Sequence, residues 1–425
     1  MIFRSYWHDS MPAFRGAAAG PVAGRFDVVV IGAGFTGLGA ARRLAMAGRS
    51  VLVLEAETVG FVASGRNGGH LNNGLAHSFA GAAAEFGRER AVAMYRAFDD
   101  GIETIERIVA EEGIPCDFRR SGKLKLASKP SHVAGLAANC EAIRAAADPE
   151  VRMLSRDELK GEVGSDAFHG AMLSPKSAMM HMGRFVVGLA EAAVRRGAVV
   201  RERAAVTGVR REGDGWRVET AGGSVTARDV LVASGATTPA ALPFFRRRIV
   251  PVGSFLVATR ALTEAEVADV MPGDRTCVTS LNIGNYFRLS PDRRLIFGGR
   301  ARFTASDDQR SDAKSGAVLR AALEGIFPQL GGIDLDYCWG GLVDMTADRF
   351  PRAGQAEGLW YAMGYSGHGA QLATHMGEMV ADRILGLPRE NPFEGLPWPA
   401  VPGHFGKPWF LPLVGAWYGL KDRIS

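Results

Sequence analysis

The sequence predicts an α/β fold, α+β when taken whole, in which a parallel-sheet domain is interwoven with a second domain built on a mostly antiparallel sheet. Three stretches carry that prediction. Residues 26–55 read as a strand, a glycine-rich turn, a helix and a second strand. Val230–Ala233 is another unbroken apolar run, and it stops on the small residues Ser234, Gly235 and Ala236. Residues 246–305 alternate apolar and polar positions in the manner of antiparallel strands.

Within the first stretch, Val28–Ile31 has the β-branched run of a strand buried on both faces. Gly32, Gly34 and Gly37 follow in G-x-G-x-x-G spacing, with Ala33, Phe35 and Thr36 between them. The first glycine permits the tight turn, the second lets the backbone approach a pyrophosphate, and the third lets helix pack on strand. The helix that begins there aims its partial positive end at the phosphates. Val51–Leu54 is the second strand, closed by Glu55 and Ala56. A carboxylate at that point accepts ribose hydroxyls and repels a 2′-phosphate. The unit is therefore Rossmann-like and suits an adenine dinucleotide.

The other elements follow in order. Gly60–Gly74 is a Gly- and Asn-rich loop containing Ser64, Gly65, Arg66, Asn67, Gly68, Gly69 and His70, and such loops make anion-binding turns. A helix is expected over 80–113, with Ala91, Met94, Phe98, Ile102, Ile105 and Ile108 on one face. Arg119–Ala127 reads as a strand, 131–147 as a helix, and Ser155 with Glu158 as a capping box. Gly183–Arg196 is a helix and Ala198–Arg203 a strand. Val206–Arg211, Trp216–Thr220 and Ser224–Ala227 form a meander on glycine turns. Val250–Thr259, Asn285–Ser290 and Leu295–Arg300 supply the antiparallel sheet, and helix returns at 313–326. Trp360–Gly364 is the last strand, leading through Tyr365, Ser366, Gly367, His368 and Gly369 into a helix over Ala370–Leu385. No linker separates the domains, so both are expected to be discontinuous: 1–80, 150–242 and 336–425 in one, 81–149 and 243–335 in the other.

Composition narrows the class. A hydrophobic content of 47% with 22% charged residues, over 425 residues, describes a globular enzyme. The net charge of +5 is scattered, and Arg246–Arg248 is the one triple basic run, so nucleic acid is not an expected partner. Cys116, Cys140, Cys277 and Cys338 stand apart, which argues against a metal cluster or disulfide framework and fits a cytoplasmic protein. No apolar run is long enough for a membrane span, and the first 24 residues lack the apolar segment of a signal peptide. The aromatic run Trp409–Tyr418 is expected to pack on the protein's own surface, with a membrane-surface or subunit contact as the alternative. Homo-oligomerisation is left open.

Flavin is favoured over nicotinamide. The fingerprint lies near the N-terminus, the Ser64–Gly69 loop adds further phosphate-contacting amides, and no second fingerprint marks a nicotinamide domain. Amides at the helix start near Gly369 would stabilise negative charge on the N1–C2=O edge of a reduced flavin. On these residues the chain resembles the D-amino-acid-oxidase superfamily of FAD-dependent amine oxidoreductases, and within it the bacterial γ-glutamylputrescine oxidase-like proteins. The likeness rests on Ser5-Tyr6-Trp7, the β-α-β unit, Gly60–Gly69, Tyr286–Leu289, Gly298-Gly299, Phe327–Leu330, Gly364–Gly369 and Trp417–Arg423.

The resemblance implies an FAD domain roofed by the antiparallel sheet of a substrate domain. It implies hydride removal from a carbon bearing an amine, hydrolysis of the imine and, in oxidases, H2O2 from O2. The cysteine that anchors flavin in some relatives falls near Gly341, which implies noncovalent FAD. The lysine that holds a substrate carboxylate is Gln371, which favours an amine whose reacting end lacks a carboxylate. A lysine linked to oxygen activation falls near Ile296, so a dehydrogenase passing electrons to a carrier is the alternative. A flavin-based redox-responsive binding protein is a third reading.

Hydride transfer to flavin needs positioning more than side-chain chemistry. His368, Gln371 and Asn67 are the catalytic candidates; His368 is alternatively a turn histidine, and Gln371 alternatively a flavin-edge or structural contact. Expected cofactor contacts are the turn Gly32–Gly37, Glu55, Ala56, Ser64, Arg66, Asn67, Gly68, Gly69, Val206, Ser234, Gly235, Ser366, Gly367, His368, Gly369 and Gln371. Val206 would act through its backbone, as the resemblance implies. Trp339, Tyr286 and Phe287 are expected in the core rather than in an aromatic cage. Asp344 and Asp348 are candidates to attract a cationic amine, with a solvated loop as the ordinary account.

Overall fold

A computed structural model describes residues 1–299 and 313–424. Strand Arg25–Ile31 lies at the middle of the first sheet, with Val28, Val29 and Val30 fully buried. It pairs in parallel with Val51–Leu54 on one side and Gly223–Val232 on the other. Val199–Arg201 and Leu359–Met363 extend the parallel array, and Arg352–Ala356 closes one edge antiparallel. Gly223–Val232 is one strand, whereas Ser224–Ala227 and Val230–Ala233 were expected as two. Its first half pairs with Gly215–Thr220 of the meander and its second with Arg25–Ile31, so the backbone never leaves a ladder.

The second sheet runs Leu335–Met345, Val250–Ala261, Arg294–Gly299, Tyr286–Leu289, Thr276–Thr279, Lys123–Leu126, Ala171–Ser174 and Arg152–Leu154. Every neighbouring pair is antiparallel except Thr276–Thr279 with Lys123–Leu126. Arg152–Leu154, Ala171–Ser174 and most of Leu335–Met345 come from segments expected in the other domain. Each satisfies its backbone groups on this sheet, so the crossings fall after residue 174 and after residue 345 rather than at 150 and 336. Arg300, the expected end of one strand, lies outside the described residues.

The helix expected over 80–113 is two, Phe79–Phe86 and Arg88–Glu112, parted by Gly87 at φ +83. The capping box at Ser155 and Glu158 forms as expected. At the C-terminus, Leu411 packs with Val250 and Val252. Asp422 accepts from the Asn282 and Ile283 amides at 2.9 and 2.7 Å. Trp409, Leu413 and Trp417 are nonetheless more than 60% exposed, so this segment covers the protein with one face only. Among the described residues no helix is long and apolar enough to cross a membrane.

The helices that matter most for the site are Phe35–Met46 and Gly369–Ile384, which cross in close contact. A Cβ on Gly377 would lie 2.2 Å from Thr36 O, and one on Gly39 would lie 2.9 Å from Thr374 O. Arg42, fully buried between them and Arg88–Glu112, donates to Glu112 at 2.8 Å, Glu378 at 3.2 Å and Glu111 at 2.6 Å. Removing one partner of such a buried set leaves a dehydrated charge uncompensated. We predict that Gly377→Ala forces these helices apart and costs about 1–3 kcal/mol. Urea unfolding checks this, and an unchanged midpoint would show that the close approach carries no weight.

Candidate active site

A single cavity of about 740 Å³ runs from the glycine turn to the underside of the second sheet. At one end, Gly32 adopts φ +108, and a Cβ there would meet Ala233 O at 2.8 Å. Gly37 packs against that turn, since its Cβ would lie 2.0 Å from Gly32 O. Helix Phe35–Met46 starts at Gly34 with no side-chain cap of its own. Ser64 supplies one from the following loop, its hydroxyl accepting from the Phe35 amide at 3.0 Å. Glu55 accepts from the Ala33 amide at 2.7 Å and the Glu57 amide at 3.0 Å. Burial raises its pKa, and those amides oppose the rise.

Nearly all the expected contacts face this cavity: Gly32, Ala33, Gly34, Phe35, Thr36, Glu55, Ala56, Ser64, Arg66, Asn67 and Gly68 from the first part of the chain. Val206, Ser234, Gly235, Ser366, Gly367, His368, Gly369 and Gln371 join them from three later segments. Gly37 and Gly69 do not line it. Gly37 serves the helix–strand contact, and Gly69, at φ +81, lies against the Arg288 guanidinium.

Several side chains do other work than expected. Asn67 donates to Ala63 O and Ser64 O at 3.0 and 3.1 Å and accepts from the Gly69 amide at 2.8 Å. Its amide shapes the loop at the cavity wall. Arg66 donates to Phe61 O and Gly340 O, so its guanidinium braces backbone at the cavity wall. Asp344 accepts from the Gly364 amide at 2.6 Å, and Asp348 pairs with Arg352 at 2.5 Å. Trp339 is buried and donates to Arg66 O, and Phe287 lies in the core. Tyr286, its neighbour on the strand, faces the cavity and shares a 3.0 Å hydrogen bond with Ser254.

At the far end the turn Gly364–Gly367 is held by Asp344 and by Ser366 at φ +53, whose amide donates to Asp344 O. It delivers the N-terminus of Gly369–Ile384, which has no side-chain cap, to the cavity wall. His368 precedes it, and burial with nearby Lys123 lowers its pKa to about 4. Gln371 donates to Asn72 O at 2.6 Å. His70 is buried on the same wall with Nδ1 unpartnered, and burial with Arg288 lowers its pKa to about 3. Sequence reasoning missed Lys123, Lys125 and Arg349, which also line the cavity. The signal was present for the lysines: they alternate with Leu124 and Leu126 in an expected strand, so both side chains share one face.

A glycine turn closed by backbone contact, two helix N-termini open to one cavity, and an orphaned buried imidazole nitrogen suit a large anionic redox cofactor. This is the site of a dinucleotide-dependent flavoprotein oxidoreductase. The comparisons agree: residues 27–383 match the DAO family model, described as FAD dependent oxidoreductase. The chain is 34% identical to the probable oxidoreductase OrdL of Haemophilus influenzae, covering 89% of this chain and 87% of that one. It is 33% identical to the gamma-glutamylputrescine oxidoreductase of Escherichia coli, over 94% and 93% of the two chains. The crystal structure of glycine oxidase from Geobacillus kaustophilus superposes with a TM-score of 0.73 at 24% identity, covering 89% of this chain and 99% of that one, and shares the fold. The chain belongs to the DAO family of FAD-dependent oxidoreductases.

Two outcomes follow. Ser64→Ala removes the borrowed cap and is expected to weaken FAD binding about five-fold, or ~1 kcal/mol, read by flavin fluorescence on titrating the apoprotein. Burial raises the Asp344 carboxyl to about 6. A folded-state pKa above the unfolded one gives stability that is complete below about pH 4 and is lost as pH rises through about 6. The apoprotein's stability should therefore fall less steeply across that window in Asp344→Asn than in the wild type; parallel urea-unfolding profiles would contradict this.

Proposed function

We propose that the chain oxidises an amine, with γ-glutamylputrescine or a related polyamine-derived or secondary amine as substrate. The observation that carries this reading is the uncapped start of helix Gly369–Ile384 opening on the same cavity as the glycine turn. Bound FAD would supply the acceptor for a hydride from the carbon that bears the amine, and hydrolysis of the resulting imine would give an aldehyde and release the nitrogen as ammonia or an amine. Gly32–Thr36, Ser64 and Gly68 would hold its phosphates, Glu55 its ribose, and Val206 its adenine through backbone atoms. The Gly369, Ala370 and Gln371 amides would stabilise negative charge on the flavin edge.

His368 is neutral near pH 7, so it adds no positive charge beside the amine. Gln371 is oriented by Asn72 and offers a neutral amide where a cation would favour a carboxylate next to the reacting carbon. FAD would be held without a covalent bond: none of the four cysteines lines the cavity, and Gly341 takes the place of the anchoring residue. The first sheet would form the FAD domain and the second the substrate roof. The four cysteines form no disulfide, which accords with the cytoplasm.

A dehydrogenase passing electrons to a carrier is the second reading. Ile296, where the resemblance looks for a lysine tied to oxygen, is fully buried among apolar side chains. One experiment tests both. Anaerobic γ-glutamylputrescine should bleach the flavin band near 450 nm, and air should restore it in an oxidase but not in a dehydrogenase. A flavin band indifferent to every amine would reject the proposal.

A further inference from the structure

The end of the cavity beneath the second sheet carries three basic side chains, Lys123, Lys125 and Arg349, and among the described residues no carboxylate pairs with Lys125 or Arg349. Lys123 and Lys125 project from one face of strand Lys123–Leu126, with Leu124 and Leu126 buried in the opposite core. Arg349 reaches the same cavity from the loop between Leu335–Met345 and Arg352–Ala356, on a backbone at φ +61. Lys123 donates to Asn73 O at 2.5 Å and feels Asp99 and Asp148, which are themselves paired with Lys176 at 3.7 and 3.4 Å. Lys125 is laddered through its backbone and the Arg349 amide donates to Thr346 O, but neither side chain makes a hydrogen bond or ion pair with a described residue.

Among the described residues the cavity's own carboxylates are Glu55, at the ribose end, and Asp344, turned to the Gly364 amide. Burial lowers Lys123 to about 7 and also lowers Lys125, with Lys125 acting on Lys123 and Arg349 on Lys125; after burial, all three lower His368, so they form one electrostatic cluster. Holding like charges together in a sheltered space is unfavourable unless an anion joins them.

We propose that Lys125 and Arg349, assisted by Lys123, form a subsite for a carboxylate carried by the amine substrate on the part of the molecule that does not react. The proposal rests on the amine-oxidation reading and narrows it to amines bearing such a carboxylate. It also reconciles Gln371 with an acidic substrate, since the anion is received from the roof rather than from the helix start. Diamines without a carboxylate would meet an unrelieved positive field.

The test is calorimetric binding to the oxidised holoenzyme of γ-glutamylbutylamide, which lacks the reacting amine, and of its carboxamide analogue, which also lacks the carboxylate. The carboxylate form should bind wild type about ten- to hundred-fold more tightly. Lys125→Met and Arg349→Gln should each reduce that preference to a few-fold while leaving flavin content unchanged. Equal affinity of the two probes for wild type, or full retention of the preference in both variants, overturns the proposal without reference to turnover. Bleaching by amines with no carboxylate preference would leave the amine oxidation standing and remove this subsite. A carboxylate preference in a protein that no amine bleaches would do the reverse.

Discussion

The close crossing of helices Phe35–Met46 and Gly369–Ile384 is the constraint on which the site depends. Gly39 and Gly377 let the backbones approach to distances that any Cβ would obstruct, and Arg42 binds the pair to Arg88–Glu112 through three glutamates. The consequence lies at the other end of the helices. Both N-termini, with their unsatisfied amides, open onto one cavity although more than three hundred residues separate them in the chain. One faces where phosphates would lie; the other faces where a reduced flavin would carry charge.

Around that frame the protein devotes its polar side chains to backbone rather than to ligand. Asn67, Arg66, Arg288 and Trp339 all bond to the Phe61–Gly69 loop or its neighbours. Asp344 and Ser366 do the same for the turn before the second helix. The amides that meet a cofactor are thus fixed before it arrives, which is how a site built from backbone achieves orientation. The side chains of Lys125 and Arg349 are the exception, with no hydrogen-bond or ion-pair partner among the described residues.

Much of this was legible in the sequence where chemistry is local. The glycine spacing, the apolar strands, Glu55 and the Gly367–Gly369 turn each state their role within a few residues, and the structure brings nearly all of them to one cavity. The hydrogen bonds of Asn67 and Asp344 were not legible for a shared reason. A polar residue in a loop looks the same in sequence whether it faces a substrate or a backbone amide, two residues away for Asn67 and twenty for Asp344. The strand Gly223–Val232 was divided because its two halves have different patterns, polar-alternating beside the meander and fully apolar beside Arg25–Ile31.

The sequence by itself determined the dinucleotide turn, the choice of a parallel sheet at residues 26–55 and the family, because each rests on contacts between near neighbours or on a spacing that only one geometry satisfies. Tertiary structure alone decided which strands share the second sheet, that two distant helix starts face one another, and that Lys123, Lys125 and Arg349 converge. Those are meetings of segments far apart in the chain, set by which edges and faces remain unpaired after the local elements have formed. No pattern within any one segment records them.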